Sequence, residues 1–298
     1  VKPVDFTLHR PETLGEAVEV LARHEGAKAL AGGQSLVPLL NFRLARPEHL
    51  VDLDGVARLA ELRRTAGAVS IGAMVRQRQA ERSPAIGADC PLVAAALPFV
   101  AHPPIRTRGT VGGSVAHADP AAELPAVVRA LDGVMHVHGP GGSRAIPAEE
   151  FFVTHLTTAL EPEEVLVEIE LPRAAPRTGA AFLEVSRRHG DYALVGVAAQ
   201  LTLEADGTVA DARVCLTGVA DTPWRCAEAE RALVGAGAAG SYHRAAAEAA
   251  EGARADLEPA ADLHASSAYR RDVAGTLVER AVPAAAAHAA QRDRRERP

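Results

Sequence analysis

Leu14, Ala17, Val18 and Leu21 recur at helical spacing, the pattern of one apolar face on an amphipathic helix. Thr13 and Glu16 stand before and inside it at capping-box spacing, and Gly26 follows where a left-handed stop belongs. A short edge strand is expected around residues 6–10, before this helix. After it, residues 28–31 read as a buried strand, residues 38–42 as a short helix and residues 49–53 as another strand. A second unit opens with a strand at 68–73 and a helix from about Val75. The apolar run 91–100 is expected to be helical and broken at Pro98, and His102-Pro103-Pro104-Ile105 to be a loop. Asp119-Pro120 has the residues of a helix start. Alternation predicts strands at 134–138 and 165–171, with a turn at 140–143 and a helix at 148–152 between them.

Beyond Arg173-Ala174-Ala175-Pro176-Arg177, a linker by composition, the pattern changes. Stretches 181–185, 193–204 and 209–217 predict an antiparallel meander. Alanine-rich helices are expected at 225–234, 241–251 and 267–288, and the charged stretch 291–298 is expected to be disordered.

Two glycine pairs punctuate this order. Lys28-Ala29-Leu30-Ala31-Gly32-Gly33-Gln34-Ser35-Leu36 ends a strand in a sharp turn, and Thr110-Val111-Gly112-Gly113-Ser114 repeats the device about eighty residues later. Such turns offer backbone N–H donors and nearby hydroxyls (Ser35, Thr110, Ser114), a chemistry suited to a pyrophosphate. Neither is followed by Gly-Lys-Ser/Thr, and neither fits GxGxxG with a ribose acid beyond it, so the two commonest nucleotide frameworks are excluded.

Composition narrows the field further. With 298 residues, 48% hydrophobic and 23% charged, the chain suits about two globular domains. A net charge of −6 without a dense basic block disfavours nucleic acid. No leader-like segment and no run of about 18 apolar residues is present, so the expected location is cytoplasmic with no membrane span. Cys90, Cys215 and Cys226 stand far apart, which argues against a cluster or structural zinc within the chain. His136 and His138 alternate on a strand without an acid or thiol at ligand spacing. They read as an exposed strand face, and no metal site and no catalytic residue is assigned.

Ala31-Gly32-Gly33-Gln34-Ser35-Leu36, Thr110-Val111-Gly112-Gly113-Ser114 with Ala118-Asp119-Pro120-Ala121-Ala122-Glu123, and Arg187-Arg188-His189-Gly190-Asp191-Tyr192-Ala193 together resemble the FAD-binding medium subunit of the molybdenum hydroxylases, the carbon monoxide and xanthine dehydrogenase type. The resemblance implies an α+β protein. A two-lobed FAD-binding domain of the vanillyl-alcohol-oxidase (PCMH) type would span 1–175, with lobes of about 1–57 and 58–175. A C-terminal domain at 176–290 would combine a three-stranded antiparallel sheet with a helix bundle.

The resemblance implies noncovalent FAD held by Ala29, Leu30, Ala31, Gly32, Gly33, Gln34, Ser35 and Leu36 from one lobe. Thr110, Gly113, Ser114 and His117 would hold it from the other. Glu123, where the family often has Asp, would reach the adenosine ribose; Leu166 would pack near the adenine and Tyr192 beside the isoalloxazine. Thr107 replaces a frequent Asn, and the family's frequent Lys is missing around Leu183-Glu184. Implied partners are a small subunit with two [2Fe–2S] clusters, a large molybdopterin subunit, and an external acceptor: NAD, oxygen, a quinone or a carrier protein. The chain would pass electrons through FAD to that acceptor; the alternatives are a stand-alone FAD-dependent oxidoreductase of this fold or a non-catalytic scaffold subunit.

Overall fold

The structure is a computed structural model describing residues 2–237 and 242–296. Three short parallel strands, Thr7–His9, His49–Asp52 and Lys28–Leu30, form the first sheet with His49–Asp52 in the middle. Helix Leu14–Arg23 covers it with Leu14, Ala17, Val18 and Leu21, the face read from the periodicity. Thr13 accepts from the Glu16 N–H at 3.2 Å, and Gly26 takes the left-handed φ of 75°.

A five-stranded antiparallel sheet follows, in the order Leu62–Arg64, Ala68–Gly72, Val165–Pro172, Val134–Gly139, Gly142–Pro147. Short helices pack on it, and Val165–Pro172 returns to its centre after a long excursion.

Three segments of this second region differ from expectation. Pro103–Arg108 is a helix, because Pro at the first two helical positions costs no hydrogen bond there. Buried Arg106 anchors it, donating to the carbonyls of Val100 (2.8 Å) and Ala101 (3.2 Å) and pairing with Glu81. The helix expected at Asp119-Pro120 begins instead at Glu123 (Glu123–Ala130). The Pro120 carbonyl is claimed by the Thr217 hydroxyl and the Gly218 N–H, and the Asp119 carboxylate accepts from the Ala121 N–H, so this stretch is held as a turn. The helix expected from about Val75 starts at Gln77 (Gln77–Glu81), since the Val75 carbonyl accepts the Val111 N–H.

The C-terminal meander consists of Thr178–Ser186, Ala193–Leu203 and Val209–Thr217, extended by the two-residue strand Trp224–Arg225. Its central strand is apolar almost throughout because both faces are buried. Ala180, Phe182, Ala198 and Cys215 face the core of the second lobe, where Phe182 meets Phe99 with ring centroids 5.3 Å apart. Ala181, Val195, Val197, Ala199 and Leu216 face three helices, Ala227–Leu233, His243–Ala255 and Ser267–Glu296.

The last helix lies so close to the sheet that a Cβ on Gly179 would overlap the backbone of Ala285 and Ala289. It also overturns the expectation of a disordered tail. The helix continues through Glu296, with the Arg292 guanidinium donating to the carbonyls of Gly87 (3.2 Å) and Ala88 (2.7 Å). Residues 297–298 of that tail, and Ser241 at the expected start of the preceding helix, lie outside the described residues.

Candidate functional site

A cleft of about 780 Å³ runs between the first lobe and the second. Both glycine turns line it, and every residue that the resemblance assigns to FAD lies on its wall except Leu30. The Leu30 side chain turns beneath the first turn, its Cδ1 3.4 Å from where a Cβ on Gly33 would sit.

The turns touch one another. A Cβ on Gly32 would overlap the Arg108 carbonyl, and one on Gly113 would stand 3.3 Å from the Ala31 Cβ and 2.6 Å from Thr110 Oγ1. These glycines therefore let the lobes close, in addition to leaving room for a ligand. Gly33 has φ 72°, the left-handed region that turns the chain toward helix Leu36–Asn41.

Their backbones offer different things. In the second turn four successive N–H groups are taken: Val111 donates to Val75 O (2.9 Å), Gly112 to Ala73 O (3.0 Å), Gly113 to Thr110 Oγ1 (2.9 Å) and Ser114 to Thr110 O (3.2 Å). In the first turn the N–H groups of Gly32, Gly33, Gln34 and Ser35 make no hydrogen bond among the described residues. These residues are half-buried on the cleft wall, so four N–H groups in succession stand open to an acceptor from outside the chain, solvent or ligand. That is the donor set of an anion nest, and it fits the diphosphate of a dinucleotide. The second turn contributes shape and the Ser114 hydroxyl.

The remaining wall is built from distant elements. Ala101, in the left-handed region at φ 43°, and His102 are held by Arg106 through the carbonyls of Val100 and Ala101. Gly190, with φ 85°, lies directly against the His102 ring, where a Cβ would overlap it. This contact brings the 187–192 loop of the meander over the cleft. Tyr192 there remains 63% exposed, and its hydroxyl lies near that of Ser35.

Glu123 is 7% exposed, and burial, reinforced by the Asp119 charge, pushes its carboxyl up to about 7. Burial and then the Glu123 charge raise Glu184 to about 8. Two acids with raised pKa values thus influence one another, and Glu184 stands where the family's frequent lysine is missing.

Gln77, His102, Ile105, Asp119 and Gly190 also line the cleft without having been assigned to it. Gly190 carried a signal, since a glycine before Asp-Tyr in a loop suggests a left-handed residue. Gln77 carried none: it is buried, its Nε2 reaches the Thr110 carbonyl at 3.4 Å, and its Oε1 has no partner.

Two lobes meeting in a cleft of this size, with an anion nest and an exposed aromatic beside it, are what a dinucleotide-binding protein offers. The comparisons with known proteins agree. The chain belongs to the family of FAD-binding subunits of the molybdopterin dehydrogenases: residues 4–174 match the FAD binding domain in molybdopterin dehydrogenase, and residues 180–285 match the CO dehydrogenase flavoprotein C-terminal domain. It is 43% identical to the 6-hydroxypseudooxynicotine dehydrogenase complex subunit alpha of Paenarthrobacter nicotinovorans, over 94% of each chain. It is 39% identical to the carbon monoxide dehydrogenase medium chain of Hydrogenophaga pseudoflava, over 97% of this chain and 99% of that one.

Among solved structures, carbon monoxide dehydrogenase from Hydrogenophaga pseudoflava superposes with a TM-score of 0.92 at 40% identity, covering 97% of this chain and 99% of that one. Quinoline 2-oxidoreductase from Pseudomonas putida 86 does so with 0.92 at 39%, again covering 97% and 99%. The protein is a FAD-dependent oxidoreductase subunit of the molybdenum hydroxylase type. No helix among the described residues is long and apolar enough to cross a membrane.

Proposed function

We propose that this chain is the electron-transfer subunit of a heteromeric molybdenum hydroxylase, working in the cytoplasm between two partner chains and an external acceptor. A small subunit with [2Fe–2S] clusters would deliver electrons drawn from substrate by a large molybdopterin subunit, and NAD, oxygen, a quinone or a carrier protein would receive them. The observation that carries this reading is the run of four N–H groups, Gly32 to Ser35, without acceptors in a cleft walled by both lobes.

Residues 1–175 form the flavin domain and residues 176–290 close over it. Gly32, Gly33, Gln34 and Ser35 donate to the diphosphate, Ala29, Ala31 and Leu36 shape its path, and Thr110, Gly113, Ser114 and His117 border it from the other lobe without a covalent bond. Glu123, protonated over much of the neutral range, is suited to donate to a ribose hydroxyl, and Leu166 packs at the adenine end. Tyr192 stands at the flavin ring, where an exposed aromatic controls access by solvent and acceptor. When bound, FAD supplies the conversion between one-electron and two-electron transfer; the protein supplies position and field. The chain's three cysteines cannot ligate a four-thiolate cluster, so the electrons come from another polypeptide.

The test is reconstitution. The purified chain should be yellow, with one FAD per chain, and inert toward hydroxylase substrates. Reduction of its flavin should appear only when small and large subunits are added. Turnover by the chain alone would instead establish a stand-alone oxidoreductase, and a colourless chain unable to take up FAD would establish a scaffold.

A further inference from the structure

The first lobe carries a group of side chains unrelated to the cleft. His9 ends strand Thr7–His9, His49 begins the neighbouring strand His49–Asp52, and His24 caps the C-terminus of helix Leu14–Arg23. In the parallel register Thr7 lies beside His49 and His9 beside Val51, so His9 and His49 share the sheet face that this helix covers. His9 Nε2 and His49 Nδ1 are 2.9 Å apart, and the His24 ring stacks on that of His49 with centroids 3.8 Å apart. One ring nitrogen from each of the three lies within 4.8 Å of the others.

From this geometry we propose that the triad is a binding site for a divalent first-row transition ion, Zn²⁺ or Cu²⁺, that ties two strands and a helix end of the first lobe together.

Imidazole nitrogens suit these ions, with metal–nitrogen bonds of about 2.0–2.1 Å. A tetrahedral ion then asks its ligand nitrogens to stand about 3.4 Å apart. That spacing falls between the 2.9 Å and 4.8 Å observed, a change within reach of ring rotation in half-buried side chains. The metal-free state holds the histidines poorly. They contact one another, and no carboxylate pairs with them among the described residues, so their ring nitrogens remain open to an ion. Solvent can complete the coordination. The site is separate from the cleft, because none of the three residues lines it. Periodicity could not reveal it, since the histidines are widely spaced in sequence and converge only in the folded lobe.

The experiment is a calorimetric titration of the metal-stripped, flavin-loaded full chain with Zn²⁺, repeated on His24→Asn and His49→Ala. One equivalent should bind the parent chain, and each variant should weaken it at least about tenfold. Flavin content should stay unchanged. With Cu²⁺ as the probe, the electron paramagnetic resonance spectrum should show coupling to imidazole nitrogens that is lost in His24→Asn. His24→Asn leaves the backbone cap, His24 N–H to Val20 O, in place, so it reports on the site even if His49→Ala does not fold. Absence of saturable binding, or unchanged stoichiometry and affinity in the folded variants, would overturn the site.

Discussion

The two glycine turns look alike in sequence and do opposite work. The second has spent the N–H groups of Val111 to Ser114 on the protein: two reach back to Ala73 and Val75, and two close on Thr110. The first, at Gly32 to Ser35, has kept its donors. One turn is a structural keystone that fixes the wall of the second lobe, and the other leaves its donors open to the cleft. A glycine pair therefore announces a tight backbone and says nothing about whether its donors remain available. That depends on which carbonyls the rest of the chain brings alongside.

The largest predicted effect lies where the turns touch. Gly32→Ala would force a Cβ into the Arg108 carbonyl and push the lobes apart, costing about 1–3 kcal/mol of overpacking and cutting flavin retention at least tenfold. The ratio of flavin to protein absorbance after gel filtration reads it; full occupancy would show that the turns do not meet as described.

Next come the two acids with raised pKa values, Glu123 and Glu184. Both carboxyls have raised pKa values in the folded protein, so their contribution to stability is fully present below the unfolded carboxylate range and is lost as pH rises through about 7 to 8. For Glu123 the shift corresponds to a loss on the order of 3 kcal/mol. The thermal midpoint of the flavin-free chain should fall between pH 5 and pH 8, and Glu123→Gln should flatten that slope. An unchanged slope would mean the two carboxyls are not coupled to folding.

Thr110→Val tests the keystone. It deprives the Gly113 N–H of its acceptor and should cost about 1 kcal/mol of stability, as loss of a cap does, with Thr110→Ser restoring it. Because the first-turn donors are untouched, urea unfolding should register more of the change than flavin affinity does. The reverse ranking would reassign the anion-holding role to the second turn.

The smallest effect is expected of Tyr192→Phe. It removes one hydroxyl contact to Ser35, worth about 0.5–1.5 kcal/mol, and should speed flavin dissociation several-fold while leaving the thermal midpoint nearly unchanged. Stopped-flow release of flavin fluorescence measures it.

Sequence pattern carried the local part of this fold well. Helix Leu14–Arg23 with its Thr13 cap, the strand into the first turn and the three long strands of the meander all follow from periodicity and caps. It failed where a distant partner decides. Pro103–Arg108 is helical around the buried anchor Arg106, the turn at 119–122 is held by Thr217 and Gly218 from the meander, and the last helix continues because Gly87 and Ala88 receive Arg292. The cleft shows the same division. Its residues could be named from two short motifs and a loop, whereas the state of their N–H groups and the protonation of Glu123 depend on contacts that no local window contains.

The meander's two buried faces have a consequence for how the chain must be made. Strand Ala193–Leu203 has no solvent side, so it reaches its final environment only after the second lobe and the three helices are both in place. A chain released before its last helix would display a wide, unpaired apolar wall, the kind of surface on which partly made proteins aggregate. The thirty residues of helix Ser267–Glu296 complete the cover of that strand, and deleting them should reduce soluble yield although they do not line the cleft.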